Sequence, residues 1–177
     1  MDDKFNISNI PNTISIENYF QCVQLNDGSI VELRLLDTVG QEKYNSINKS
    51  YYQQADCCLL VYDITSRDSF NRLKDYYIKK IKKDCKNILK VVLLGNKADL
   101  KDKRKVSDKE GADLALENEY TFMESSCVDN YNVLDAFTAL IEMTNNELIK
   151  NNGKRTKNIS LNSTIATKKN KNKKKCC

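Results

Sequence analysis

Two short polar segments of this chain have residue types and spacings that can do chemistry. The first is Asp37-Thr38-Val39-Gly40-Gln41-Glu42, which follows a β-rich stretch at residues 29–36. A carboxylate at a strand end can hold Mg²⁺, directly or through water. A glycine three residues later lets its backbone N–H approach a phosphate, and the adjacent Gln41 can orient a water. The second segment is Gly95-Asn96-Lys97-Ala98-Asp99-Leu100, which follows the apolar run VVLL at 91–94. Asp99 can accept two N–H donors from a guanine edge, while Asn96 and the Lys97 stem brace the loop. Singly, D-x-x-G or N-K-x-D is more often a helix cap or a surface turn. Together, in this order and each after a predicted strand, they point to a ligand site at the carboxyl ends of strands, where open α/β folds bind.

The elements that must position them alternate. Residues 13–25 and 29–36 are β-rich and are joined by Asn26-Asp27-Gly28, whose Asp-Gly pair suits the positive φ of a primed hairpin turn. In the second of these strands Val31, Leu33 and Leu35 face one way, and Glu32 and Arg34 the other. The runs CCLLVY (57–62) and VVLL (91–94) predict strands buried on both faces of a parallel sheet. Between them Phe70, Leu73, Tyr77 and Ile81 fall at helical spacing, with Ser66 or Asp68 able to cap the start. Ser107 and Glu110 form a capping box ahead of Ala112, Leu114 and Ala115. Residues 121–124 read as a brief strand. A last helix follows, with Val133, Phe137, Leu140, Ile141, Thr144 and Leu148 on one stripe. Strand–helix alternation of this kind predicts a doubly wound α/β sheet.

A chain of 177 residues with 40% apolar and 30% charged residues suits one packed domain rather than disorder. No run approaches the roughly 18 apolar residues of a spanning helix, and the first ten residues carry no secretory pattern. The absence of His excludes imidazole triads, bases and ligands. The seven Cys contain no C-x-x-C pair and read as reduced cytosolic thiols. Charge is asymmetric: residues 151–177 hold nine Lys/Arg and no acidic residue, so residues 1–150 carry −4 of a total of +5. A mildly acidic body argues against a nucleic-acid-binding core. The tail, NNGKRTKNISLNSTIATKKNKNKKKCC, has little apolar area to offset ordering entropy and is expected to be disordered. Its end, KKNKNKKKCC, reads either as a solvated or nuclear-localisation charge run or as a lipid anchor backed by basic residues.

These segments carry a resemblance. ELRLLDTVGQEKY, SINKSYYQQA, LLVYDIT, GNKADL and FMESS each resemble a motif of the Ras superfamily, in that family's order. LLVYDIT and YYQQA point to the Rab group, and KDKRKVSDKEGADLALE to a secretory-pathway member. The match runs from about Lys4 to Lys150 plus the terminal pair. It implies a small-GTPase domain over 1–150: a doubly wound, mostly parallel sheet with one antiparallel hairpin strand, ahead of a tail at 151–177. The implied ligands are GTP or GDP and Mg²⁺. Thr13 matches the switch I threonine on Mg²⁺ and the γ-phosphate, and Asp37 the aspartate on the Mg²⁺ side. Gly40 matches the glycine whose amide senses the γ-phosphate, and Gln41 the glutamine that orients the hydrolytic water. Asn96, Lys97 and Asp99 match the guanine-specificity loop, and Ser126 and Cys127 the S-A pair that flanks the base. Cys176 and Cys177 match the double geranylgeranylation site. The implied function is a switch of vesicle and protein transport on the cytoplasmic face of intracellular membranes, cycling with cytosol. Its implied partners are effectors, an exchange factor, a GTPase-activating protein and prenylation machinery, with no nucleic acid.

Departures from the family pattern are local, with one exception. Val39 replaces a small Ala before Gly40, and its branched side chain stiffens a hinge. Leu36 replaces an aromatic residue, Ser15 and Asn18 weaken the effector-facing pattern, and Val128 replaces the Lys of S-A-K. The larger departure is that none of Gly28, Gly40, Gly95, Gly111 and Gly153 begins G-x-x-x-x-G-K-S/T, the phosphate cradle. The family's first strand and that loop, roughly 20–30 residues by the size of a βα unit, are expected either to precede Met1 or to be lost. That strand lies between the strand ending at Leu36 and CCLLVY, so its absence predicts two unpaired edges, weak GTP·Mg²⁺ binding at best, and folding that is poor or needs a partner to fill the slot. Two functions follow as expectations: a membrane-anchored GTPase switch, or a non-catalytic Rab-like module that does not cycle nucleotide.

Overall fold

The computed structural model describes residues 17–37, 53–85 and 87–155. Thr13, Ser15, Val39, Gly40, Gln41, Cys176 and Cys177 lie outside the described residues. The chain order is β1 (Glu17–Gln24), β2 (Ile30–Asp37), β3 (Cys57–Asp63), α1 (Arg67–Arg72), a π-helical turn (Leu73–Tyr77), α2 (Ile78–Asp84), β4 (Lys90–Asn96), a 3-10 turn (Lys101–Lys103), α3 (Asp108–Glu117), β5 (Thr121–Ser125) and α4 (Val133–Arg155). The mixed α/β class expected from the alternation holds.

The strands form two sheets. β1 and β2 are an antiparallel hairpin, and β3, β4 and β5 a parallel sheet with β4 in the centre. The division falls between β2 and β3, where the resemblance places a further strand; no described residue fills it. Burial differs between the strands of the parallel sheet. Central β4 is buried from Val91 to Gly95, whereas Val61 on edge strand β3 is half exposed, against the expectation that both faces of CCLLVY are covered.

The hairpin turn also differs from expectation. Leu25 N donates to Ser29 O and Gly28 N to Leu25 O, and within the turn only Gly28 has positive φ (+83°). The type I′ two-residue turn that an Asp-Gly pair suits needs positive φ at both central positions. This three-residue loop needs it only at its last residue, where glycine has no Cβ to clash. Asp27 Oδ1 accepts from Ser29 N and Ser29 Oγ, which closes the loop.

One face of the parallel sheet packs Leu60, Tyr62, Ile64, Val91 and Leu93 against Phe70, Leu73, Ile78, Val106, Leu114 and Ala115. Strand alternation turns Val92 and Leu94 to the other face, where α4 lies against β3 and β4 with Ala136, Leu140, Ile141 and Thr144 buried. Ser66 caps α1 by accepting from Ser69 N. The π turn adds a residue per turn, so that Leu73 and Ile78 are buried and Tyr77 packs alongside. The Ser107/Glu110 capping box is present on α3, with both reciprocal bonds made. α4 continues five residues past Lys150, because extending an existing helix is far cheaper than nucleating one.

Candidate functional site

Parallel register brings three strand ends into one row. Asp63 of β3 pairs with Asn96 of β4, and Asn96 pairs with Ser125 of β5. The loops after these residues meet at the carboxyl edge of the sheet, the edge at which open α/β folds receive ligands.

Asn96 is the hub. Its Oδ1 accepts from its neighbour Lys97 N at 2.8 Å, from Ser125 Oγ at 3.4 Å and from Cys127 Sγ at 3.8 Å. One side-chain carbonyl therefore ties the β4 loop to the β5 loop. Lys97 adopts a left-handed backbone (φ +69°), and its stem turns back so that Nζ meets Asp63 Oδ2 at 2.6 Å. Asp63 Oδ1 is taken by Thr65 N at 2.8 Å and Thr65 Oγ1 at 2.7 Å. Partial burial alone would raise the Asp63 pKa, but the Lys97 ammonium and the Thr65 donors outweigh it and hold the carboxyl below its ordinary value.

Asp99 sits half-buried at the end of this loop, with Oδ1 accepting from Ser126 Oγ at 2.7 Å. Ser126 is itself fixed. It is 1% exposed, its backbone exchanges both bonds with Tyr131, and its Oγ accepts from Asp129 N. Ala98 N donates to Ser125 O, closing the two loops together. Behind the loop, Arg104 grips Glu124 of β5 with both guanidinium nitrogens at 2.6 and 2.8 Å, and Lys105 N and Val106 N both donate to Ile64 O.

Asn96, Lys97, Asp99, Ser126 and Cys127 are thus brought to one place. Asp37 ends β2, on the other sheet, and is exposed. Val128 is exposed in the turn after Cys127. Asp63 and Thr65 were not among the residues singled out by sequence. The signal was there, since LLVYDIT ends in Asp-x-Thr at a strand end, where an Asx turn is the ordinary outcome. Chemically, the described cluster suits the base end of a nucleotide: a fixed carboxylate beside an amide hub. Among the described residues there is no group of three or more His, Cys, Asp or Glu that could hold a metal. No described helix is long and apolar enough to cross a membrane.

The comparisons with known proteins agree with the motifs. The Ras family model matches residues 1–146. The chain is 40% identical over 139 residues to the Ras-related protein Rab-11B of Dictyostelium discoideum, covering 78% of this chain and 62% of that protein. It is 39% identical over 139 residues to Rab-8A of Bos taurus, covering 78% and 66% respectively. Against Rab-13 of Rattus norvegicus it is 36% identical over 176 residues, which is 97% of this chain and 84% of that protein. The chain therefore spans somewhat under two thirds of the length of the first two relatives. On motifs, family match and identity together, the chain belongs to the Ras family and, within it, to the Rab small GTPases.

Proposed function

We propose that this chain binds guanine nucleotide through Asp99 and acts as a membrane-attached switch that hydrolyses GTP to GDP in vesicle transport. The observation that carries the reading is the Asp99–Ser126 bond beside the Asn96 hub. It leaves Oδ2 and the remaining lone pair of Oδ1 to face the two N–H groups of a guanine edge and keeps the carboxylate from swinging, so that orientation is settled before the ligand arrives. Lys97, clamped on Asp63, supports the loop from beneath, and Cys127 stands beside Asn96. Bound Mg²⁺ would neutralise phosphate charge during transfer. Thr13 and Asp37 are the residues proposed to hold it, Gly40 to meet the γ-phosphate and Gln41 to orient water. Cys176 and Cys177 are proposed as prenylation sites, with residues 151–177 serving as the anchoring tail and 1–150 as the switch domain. Effectors and regulators would read the switch state.

The test is calorimetric titration of the full chain with GTP·Mg²⁺ and ATP·Mg²⁺, followed by single-turnover hydrolysis beside Gln41→Ala. Guanine-selective, sub-micromolar binding with hydrolysis lost in Gln41→Ala supports the switch. Guanine-selective but weak binding without turnover supports the non-cycling module. Equal binding of both nucleotides contradicts either reading.

A further inference from the structure

Residues 67–90 hold nine Lys/Arg against three Asp, a surplus of six positive charges on a body whose total to Lys150 is −4. The surplus is concentrated on the helical stretch α1–π turn–α2, which at 18 residues is about 27 Å long. Its inner side is occupied by Phe70, Leu73, Ile78 and Tyr77. Lys74, Lys79, Lys82 and Lys83 are exposed and make no ion pair with the described residues. Lys82 and Lys83 complement the helix C-terminus electrostatically, but Lys74 and Lys79 do not. Lys79 also lies three and four residues from Lys82 and Lys83, where like charges repel. Folding does not account for this arrangement. Beside it the Tyr76 ring packs edge-on to Tyr77 at 5.1 Å and lies under Lys80 Nζ at 5.5 Å. Tyrosine and lysine side by side suit a headgroup layer, where a ring and an ammonium can both be satisfied.

We infer that the outer face of α1–α2 docks on an anionic lipid surface, with Lys79, Lys82 and Lys83 as its principal contacts. Charge complementarity selects this occupant: ammonium groups without an ion pair among the described residues, on long stems spread along a helix, match a diffuse layer of negative headgroups. The inference rests on the membrane-attached reading only for bringing the domain near a leaflet. It assigns a second contact, on the folded domain and separate from the tail.

The test is partition of the full, lipid-free chain onto phosphatidylcholine vesicles with and without phosphatidylserine. Lys79→Gln/Lys82→Gln/Lys83→Gln should weaken binding to the anionic vesicles by about tenfold to a hundredfold. The loss should appear in the native tail and in one carrying Lys171→Gln/Lys173→Gln/Lys174→Gln/Lys175→Gln. Lys79→Arg/Lys82→Arg/Lys83→Arg should keep binding, which separates charge from any damage to the fold. Lys101→Gln/Lys103→Gln/Lys105→Gln removes equal charge elsewhere on the domain and should change partition little. Several results would overturn the inference: equal losses in the helix and loop variants, no loss in the helix variant, or no anionic-vesicle binding by the native chain. Capture of a poly-glutamate peptide while vesicles are ignored would also overturn it. A loss confined to the tail variant would leave the membrane-attached reading standing and sink only the helix contact.

Discussion

Replacing Lys97 with Met should release the loop that carries Asp99, and the size of the effect can be worked out beforehand. Lys97 Nζ meets Asp63 Oδ2 at 2.6 Å, with the two side chains 51% and 24% exposed. A pair this accessible is screened by solvent, so its net worth lies near the top of the exposed range, about 1 kcal/mol. Asp63→Asn keeps an Oδ1 acceptor for Thr65 and removes only the charge, so a double-mutant cycle isolates the pair. Denaturant unfolding at neutral pH should give a coupling of about 1 kcal/mol. The folded Asp63 pKa lies below its ordinary value, so its contribution is complete above the ordinary carboxylate pKa and is lost as pH falls through the lowered one. The coupling should therefore fade in strong acid. Lys97→Gly adds a control. At φ +69° glycine relieves about 1 kcal/mol of left-handed strain, so it should be nearly neutral where Met is not. Additive effects at neutral pH, or a coupling unchanged by acid, would refute the reasoning.

Other perturbations have equally definite outcomes. The Tyr62 hydroxyl is buried without a hydrogen-bond partner among the described residues, so Tyr62→Phe should raise stability by about 1 kcal/mol, read as a higher melting temperature. A Cβ on Gly111 would lie 2.5 Å from both Tyr62 Oη and Phe122 Cε2; Gly111→Ala should cost about 1–3 kcal/mol, with partial rescue by Tyr62→Phe. Arg67 and the Ser107 donors hold the Glu110 carboxyl at about 2, so Glu110→Gln should flatten the loss of stability as pH falls from the ordinary carboxylate range toward that value. Cys176→Ser/Cys177→Ser should shift the chain from the membrane to the soluble fraction in cells, and pelleting that survives would place the anchor elsewhere.

What the sequence showed and what it hid follow from the range of the interactions. The Ser107/Glu110 capping box is a contact between residues three apart, and it is present as read. The loop Asn96-Lys97-Ala98-Asp99 was legible because its residue types are local and its strand is a plain apolar run. That Asp99 is held by Ser126, and Lys97 by Asp63, are contacts across 27 and 34 residues, set by the parallel register rather than by any spacing. The π turn was illegible because Phe70, Leu73, Tyr77 and Ile81 also fit an unbroken α-helix, and only packing selects Ile78 as well. Asp27-Gly28 marks the hairpin in the sequence, but the turn type depends on which residue takes positive φ. Val61 reads as core from its run, yet it is half exposed on β3, which is an edge of the sheet among the described residues.

The central claim is that Asp99, oriented by Ser126, reads guanine. Asn at this position presents one acceptor and one donor where Asp presents two acceptors, so it should favour the xanthine edge. Competition of GTP against XTP on the full chain, native and Asp99→Asn, tests this whatever the absolute affinity. The native chain should prefer GTP, and Asp99→Asn should prefer XTP. A preference left unchanged by Asp99→Asn would contradict that claim.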